Sequence, residues 1–269
     1  MAIIVSVSGG KDSTAMLLKA LEEYPKSQIT PVFCDTGWEH RDTYEYLEYL
    51  EKALDIKIIR IKNNKYPCGM LDLILKKRFI PNSNPLYRFC SYELKKVPHR
   101  NFLKSLPPVP RQIWVGVRTE ESHSRARKYT GIFPEEIFPY RELHPKAPKA
   151  CETHFERYPV INWTIKDVMN ILKKHGIDIN PLYYKGFNRV GCFPCIISTL
   201  KNWKMVYKTD TGKKNINKLI EIEKNLNESG CNASLKPGKS GREILPYLQS
   251  LEQSPPLFEE EIGCSFCAG

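Results

Sequence analysis

No run of about 18 consecutive apolar residues occurs in these 269 residues, so a membrane-spanning helix is not expected. The start, Met1-Ala2-Ile3-Ile4-Val5, has neither the basic n-region nor the long apolar stretch of a secretory signal, and the expectation is a cytoplasmic protein. Internal repeats and low-complexity tracts are absent as well. Nine cysteines, an odd number in a chain this long, suit a disulfide framework poorly. In a reducing compartment, paired cysteines more often hold metal or do redox work. Acidic residues are in deficit, 30 Asp+Glu against 41 Lys+Arg for a net charge of +11. Nearly all of that excess lies between Lys57 and Lys104, where 12 Lys+Arg meet only Asp72 and Glu93. Such a stretch attracts polyanions by neutralising phosphates and releasing counterions, so nucleic acid (basic 57–104) and a highly phosphorylated small substrate are both candidate partners. A solvated basic face is the plain alternative.

The 41% hydrophobic content supports one large domain, or a core domain with a small appendage. Ile3 to Val7 is a β-branched run ending at Ser8-Gly9-Gly10, after which Ala15, Leu17, Leu18 and Leu21 recur at helical spacing. A strand at about Ile29 to Cys34, a helix through Tyr44, Leu47, Leu50 and Leu54, and a strand at about Ile56 to Ile61 follow; Gln112 to Val117 reads as another. This alternation predicts an α/β fold, a Rossmann-like, mostly parallel sheet with helices on both faces. Seven prolines between Asn63 and Pro110 predict short helices broken by turns. Thr164-Ile165-Lys166-Asp167 has the spacing of a capping box and opens a helix that Gly176 follows. Another amphipathic helix is expected over Asn215 to Leu226, before loop-like sequence around Pro237-Gly238.

Ser8, Gly9, Gly10, Lys11, Asp12 and Ser13 sit between a strand and a helix start, where unpaired backbone N–H groups and the helix dipole favour an anion. The glycines let the backbone approach phosphate without a Cβ in the way. Lys11 offers a point charge, the serine hydroxyls offer hydrogen bonds, and Asp12 can cap the helix or help hold Mg²⁺ with ATP through water. The Walker A spacing is absent.

This hexapeptide resembles the SGGxDS signature of the ATP-pyrophosphatase (PP-loop) superfamily, whose chemistry lies at the α-phosphate of an adenine nucleotide. Asp35-Thr36-Gly37, Phe89-Cys90-Ser91-Tyr92-Glu93-Leu94-Lys95 and Gly116-Val117-Arg118-Thr119-Glu120-Glu121-Ser122 with Arg125 resemble the phosphoadenosine-phosphosulfate (PAPS) reductase family. So does the block from Tyr158-Pro159-Val160 through Asn180-Pro181-Leu182-Tyr183 to Gly191-Cys192-Phe193-Pro194-Cys195. The resemblance covers roughly residues 1 to 200. It implies a nucleotide-binding domain there and a helical and loop C-terminal extension over 201–269 carrying a CxxC pair. It also implies that Asp35, Thr36 and Gly37 line the nucleotide (ATP, PAPS or adenylyl sulfate). Arg118 and Arg125 would face phosphate or sulfate; pairing with Glu120 or Glu121 is the alternative.

Cys192-x-x-Cys195 and Cys264-x-x-Cys267 each bring two sulfurs within reach of one metal site. The resemblance implies a [4Fe–4S] cluster held by Cys90, Cys192, Cys195 and one of the C-terminal pair, Cys264 or Cys267, with Cys264 taken as the ligand. A structural zinc site closed by the two CxxC pairs stays open beside it. Where adenylyl-sulfate reductases have a Cys-Cys pair this chain has Phe89-Cys90, and its end differs from the Glu-Cys-Gly-Leu-His-like tail of thioredoxin-dependent reductases. Cys267 is the candidate nucleophile, its thiolate favoured by basic surroundings, with Lys11 and Asp12 as the catalytic pair on the loop. Cys34, Cys68, Cys151 and Cys231 read mostly as small apolar fillers.

Three functions compete. The first is reduction of PAPS or adenylyl sulfate to sulfite with a thiol electron donor protein. The second is ATP-dependent thiolation of DNA or tRNA with a sulfur donor, towards which the Phe89–Lys95 block and the basic stretch lean. The third is an inactive zinc-bearing nucleic-acid-binding module.

Overall fold

The structure is a computed structural model that describes residues 1–82 and 84–235. Its strands are β1 (Ala2–Val7), β2 (Ile29–Cys34), β3 (Ile59–Ile61), β4 (Arg111–Trp114), β5 (Ile137–Pro139) and β6 (His154–Arg157). The helices are α1 (Lys11–Glu23), α2 (Arg41–Leu54), α3 (Met70–Lys77), α4 (Phe89–Ser91), α5 (Val97–Ser105), α6 (His123–Lys128), α7 (Tyr140–Leu143), α8 (Ile165–Lys174), α9 (Pro181–Tyr184), α10 (Leu200–Tyr207) and α11 (Asp210–Glu228). Among the described residues no helix is long and apolar enough to cross a membrane.

The sheet runs β3-β2-β1-β4-β6-β5, parallel throughout except for the β5–β6 edge. From β1 the chain steps one way to β2 and β3 and later the other way to β4, so the order reverses between β1 and β4. At such a switch point the loops leaving the carboxyl ends of the strands separate and open a crevice for a ligand. Ile4, Val32 and Ile113 face a cluster with Leu103 of α5, Tyr140 of α7 and Cys151. Trp114 points the opposite way, its ring edge-on to Tyr24 just past α1. Helices therefore cover both faces, as expected for strands apolar on two sides.

By its contacts the chain forms two compact units. One compact unit combines Met1–Cys34, Asp42–Ile61 and Val97–Pro181; the other combines Asp35–Arg41, Lys62–Lys96 and, among the described residues, 182–235. The second unit has its own core, in which Trp38, Tyr66, Leu73 and Ile74 pack with Phe187, Phe193, Trp203, Ile216 and Leu219. Helices α10 and α11 bury their apolar faces there.

Most expected elements are present with shifted ends. The strand expected from Ile56 begins only at Ile59, and the one expected to reach Val117 stops at Trp114, where Val117 N–H turns back to the Val115 carbonyl (3.0 Å). The Thr164 capping box forms in full. The helix expected over Asn215 to Leu226 is longer, Asp210–Glu228, and Thr209 caps it. The segment around Pro237-Gly238 lies outside the described residues.

Candidate functional site

In the first unit, β1 delivers Ser8–Ser13 to the switch point, and the loop is braced from within. Ser13 Oγ accepts from Ser8 N–H (3.0 Å) and donates to the Gly10 carbonyl (2.9 Å), while the Ser8 and Ser13 hydroxyls lie 3.1 Å apart. Gly9 takes a positive φ of 74°, and a Cβ there would come 2.8 Å from Thr43 Cγ2. Fully buried Asn180 donates through Nδ2 to the Gly9 carbonyl at 3.1 Å. On the β4 side Gly116 lies close above the helix start, where a Cβ would be 3.5 Å from Ser13 Cα. The N-cap is Gly10, with no side-chain cap, and the backbone N–H groups of the first turn of the 13-residue α1 follow. That is the arrangement that binds oxyanions.

Asp12 does not cap α1. It bridges two cations instead, Lys11 Nζ at 3.1 Å and the guanidinium of Arg118. Arg118 is 3% exposed and also donates to Glu120 (2.5 Å) and to the Trp163 carbonyl (3.0 Å). Burial disfavours its charge, but Asp12 and Glu120 outweigh that and hold its pKa above the ordinary arginine value. Glu120 in turn accepts from Ile165 N–H at the start of α8 (2.7 Å). Arg118 thus fixes Asp12, and Arg125 pairs with Glu121.

Asp35, Thr36 and Gly37 belong to the second unit and make a tight turn there. The Asp35 carboxylate accepts from Gly37 N–H (2.9 Å), and Met70 N–H donates to the Thr36 carbonyl (3.0 Å). Gly69 is required at this contact, because a Cβ would sit 1.9 Å from the Thr36 oxygen. Thr36 Oγ1 donates to Glu39 (2.6 Å) and lies 3.5 Å from Cys192 Sγ. Burial raises the Glu39 pKa, against hydrogen bonds from Thr36 and Trp38 and the charge of Lys95. Trp38 is buried, its indole N–H on the Pro194 carbonyl at 3.1 Å, and His40 packs edge-on against Phe193. Both are packing residues.

Cys90, Cys192 and Cys195 belong to this same unit, and Cys195 lies within electrostatic reach of the other two. Burial pushes the thiols of Cys90 and Cys192 up, with Cys195 adding to the effect and Lys95 opposing it. Cys195 disfavours the thiolates of both Cys90 and Cys192, and a cationic group would compensate charge on these soft sulfur donors. Among the described residues no three Cys, His, Asp or Glu side chains converge on one metal ion. A four-iron cluster gives each thiolate its own iron, so its donors need not meet at a point, and the three cysteines fit it in kind. Cys264 and Cys267, and with them the fourth ligand, the zinc alternative and the nucleophile, lie outside the described residues. Of the expected fillers, Cys151 is buried but Cys68 is exposed.

Sequence reasoning did not single out Thr43, Asn180 or Glu39. Asn180 lies inside a family-like block and Glu39 two residues past the family-like Asp35-Thr36-Gly37, which was the available signal; Thr43 carried none.

Residues 2–198 match the family described as phosphoadenosine phosphosulfate reductase domain. The chain is 36% identical over 241 residues to an uncharacterised 37.8 kDa protein of Escherichia phage 186, an alignment covering 72% of this chain and 66% of that one. It is 31% identical over 193 residues to an uncharacterised protein of Methanocaldococcus jannaschii, covering 72% of this chain and 36% of the relative. This chain thus spans two thirds or less of the length of these relatives. Adenosine 5'-phosphosulfate reductase 1 of Bacillus subtilis is 27% identical, with 70% of this chain and 74% of that one covered. Among solved structures, the PAPS reductase from Candida auris in a phosphate complex superposes with a TM-score of 0.51 at 14% identity, covering 72% of this chain and 82% of that one. That likeness concerns the fold.

Proposed function

Since the chain belongs to the phosphoadenosine phosphosulfate reductase family, matched over residues 2–198, we propose that it is an enzyme acting at the α-phosphate side of an adenine nucleotide in sulfur metabolism. The observation that carries this reading is the braced Ser8–Ser13 loop at the switch point, with Lys11 and the Arg118-held Asp12 beside the first turn of α1. On this reading the loop amides and Lys11 hold the nucleotide's oxyanion. Asp12 orients Lys11 or a hydrated Mg²⁺, and Arg118 keeps Asp12 in place.

The first form of the activity is reduction of PAPS or adenylyl sulfate. A cysteine thiolate, with Cys267 the candidate, attacks the sulfate sulfur; a sulfur–sulfur bond forms, the sulfur–oxygen bond to phosphate breaks, and the nucleotide leaves with both electrons of that bond. A dithiol donor then attacks the enzyme's sulfur, releasing sulfite and leaving the donor as a disulfide. Cys90, Cys192 and Cys195 would hold a [4Fe–4S] cluster with Cys264, and the cluster, its cationic core offset by the four thiolates, would supply redox-capable iron.

A second form is ATP-dependent sulfur transfer to DNA or tRNA. Two features favour it: Phe89 precedes Cys90 where a second cysteine would otherwise stand, and the surrounding stretch is basic. One set of assays on anaerobically purified protein, with iron, zinc and sulfide analysis, separates the forms. Sulfite release from labelled adenylyl sulfate or PAPS with thioredoxin or glutathione supports the first. AMP formation from ATP that depends on nucleic acid and a sulfur donor supports the second. Tight ATP binding without turnover of any substrate, in a colourless protein with stoichiometric zinc, would overturn both in favour of an inactive binding module.

A further inference from the structure

We propose that the surface formed by the end of α3 and residues 86–96 is a binding platform for single-stranded nucleic acid, with Phe79 and Tyr87 as its stacking core. This deepens the sulfur-transfer reading and rests on it for what the strand is for; the surface itself is argued from its own residues.

Residues 62–96 carry eight Lys+Arg against Asp72 and Glu93. Glu93 is engaged by Lys77 (3.3 Å), and Asp72 accepts from Cys68 N–H (2.8 Å). Lys76, Lys77, Arg88, Lys95 and Lys96 are all exposed. Charge of this density calls for an anionic partner.

The aromatic residues narrow the choice. Phe79 and Tyr87 stack with ring centroids 5.0 Å apart and planes 27° apart, and Phe89 tilts against Phe79 at 6.3 Å with Lys77 Nζ 5.9 Å above its ring. Burying these rings fully would gain hydrophobic free energy, yet Tyr87 stays 44% exposed and Leu86 84%. One side of Tyr87 lies on Phe79, so a base laid on its other side continues the stack between cations that can take the flanking phosphates. Tyr92, also 44% exposed, follows five residues later among Lys95 and Lys96. A duplex keeps its bases paired and offers only phosphates, which would leave the rings unused. Half-exposed aromatic residues in a lysine-rich stretch suit unpaired bases.

The test is fluorescence anisotropy of the full chain with a labelled single strand of about a dozen nucleotides, as DNA and as RNA. The matching duplex and phosphatidylserine vesicles serve as competitors, and salt is varied. The expected result is a preference for the single strand, affinity that falls as salt rises, and a loss of about 5- to 150-fold for Tyr87→Ala with little change for Tyr87→Phe. Circular dichroism establishes that each variant is folded, and Lys76→Glu gives a second, non-aromatic readout through a shallower salt dependence. Equal binding of duplex, equal competition by vesicles, or wild-type affinity in Tyr87→Ala would each overturn the proposal. Lys11→Ala distinguishes the two readings: it should lose nucleotide binding and keep oligonucleotide binding. Failure of the nucleotide assay alone therefore leaves this surface standing, and failure here leaves the loop untouched.

Discussion

At Gly9 one missing methyl group decides whether the loop closes. Its φ of 74° is open to glycine and costs other residues about 1–2 kcal/mol, and a Cβ would also meet Thr43 Cγ2 at 2.8 Å. Gly9→Ala is therefore expected to lose roughly 1–3 kcal/mol of stability in denaturant titration and to weaken nucleotide binding. Adding Thr43→Ser, which removes that methyl, should recover part of the loss; a Gly9→Ala protein as stable as its parent would contradict the account. The hexapeptide was legible because all its chemistry lies within six consecutive positions. Its braces were not legible, since Asn180 lies 171 positions from Gly9 and Arg118 lies 106 from Asp12. Nor was the pairing of Arg118 with Asp12 legible, since the sequence offered only Glu120 and Glu121 as its carboxylate partners.

Elements that read well were those whose pattern matched their burial. The apolar runs of β1, β2 and β4 and the capped α8 fall in this class. β5 and β6 escaped because they contradict it: β5 is three residues ending in a proline, and β6 is His-Phe-Glu-Arg. The inward face of β6 is polar, with His154 and Glu156 almost fully buried. Glu156 accepts from His144 Nε2 (2.6 Å), if that nitrogen carries the proton, and from Tyr158. His99 of α5 is in electrostatic reach of His144, His154 and Glu156, and burial holds it down to about 4 even though Glu156 pulls the other way. His154 is lowered as well, by burial and then by the charge of Arg111. Both imidazoles are thus favoured neutral in the folded chain. The unfolded chain binds more protons below about pH 6.5, so stability present at neutral pH is lost as pH falls towards 4. For His99 the loss is no more than roughly 3 kcal/mol. Denaturant midpoints between pH 7 and 4.5 should fall steadily in the parent and less steeply in His99→Gln. A flat profile in the parent would contradict the buried, neutral assignment.

On the scale of the whole molecule, the sequence pointed to an α/β sheet and to residues 1–200 as the family-like region. It did not reveal that the chain leaves the sheet unit twice, at Asp35–Arg41 and Lys62–Lys96, to build a second core with the helices after Leu182. Such interleaving has no local signature, because each excursion reads as an ordinary loop or proline-broken segment until its partners are known. The same excursions carry the Thr36 turn, Cys90 and most of the basic stretch, which is why these features looked scattered along the chain. In this molecule the loop amides and Lys11 must hold the phosphoryl oxygens of the nucleotide. Isothermal titration calorimetry with ATP, adenylyl sulfate and PAPS, on the parent and on Lys11→Ala, tests that directly. Heat is predicted with at least one of the three nucleotides, and an affinity at least about tenfold weaker, roughly 1.4 kcal/mol, in the variant. No heat with any of them, or equal affinity in both proteins, would contradict it.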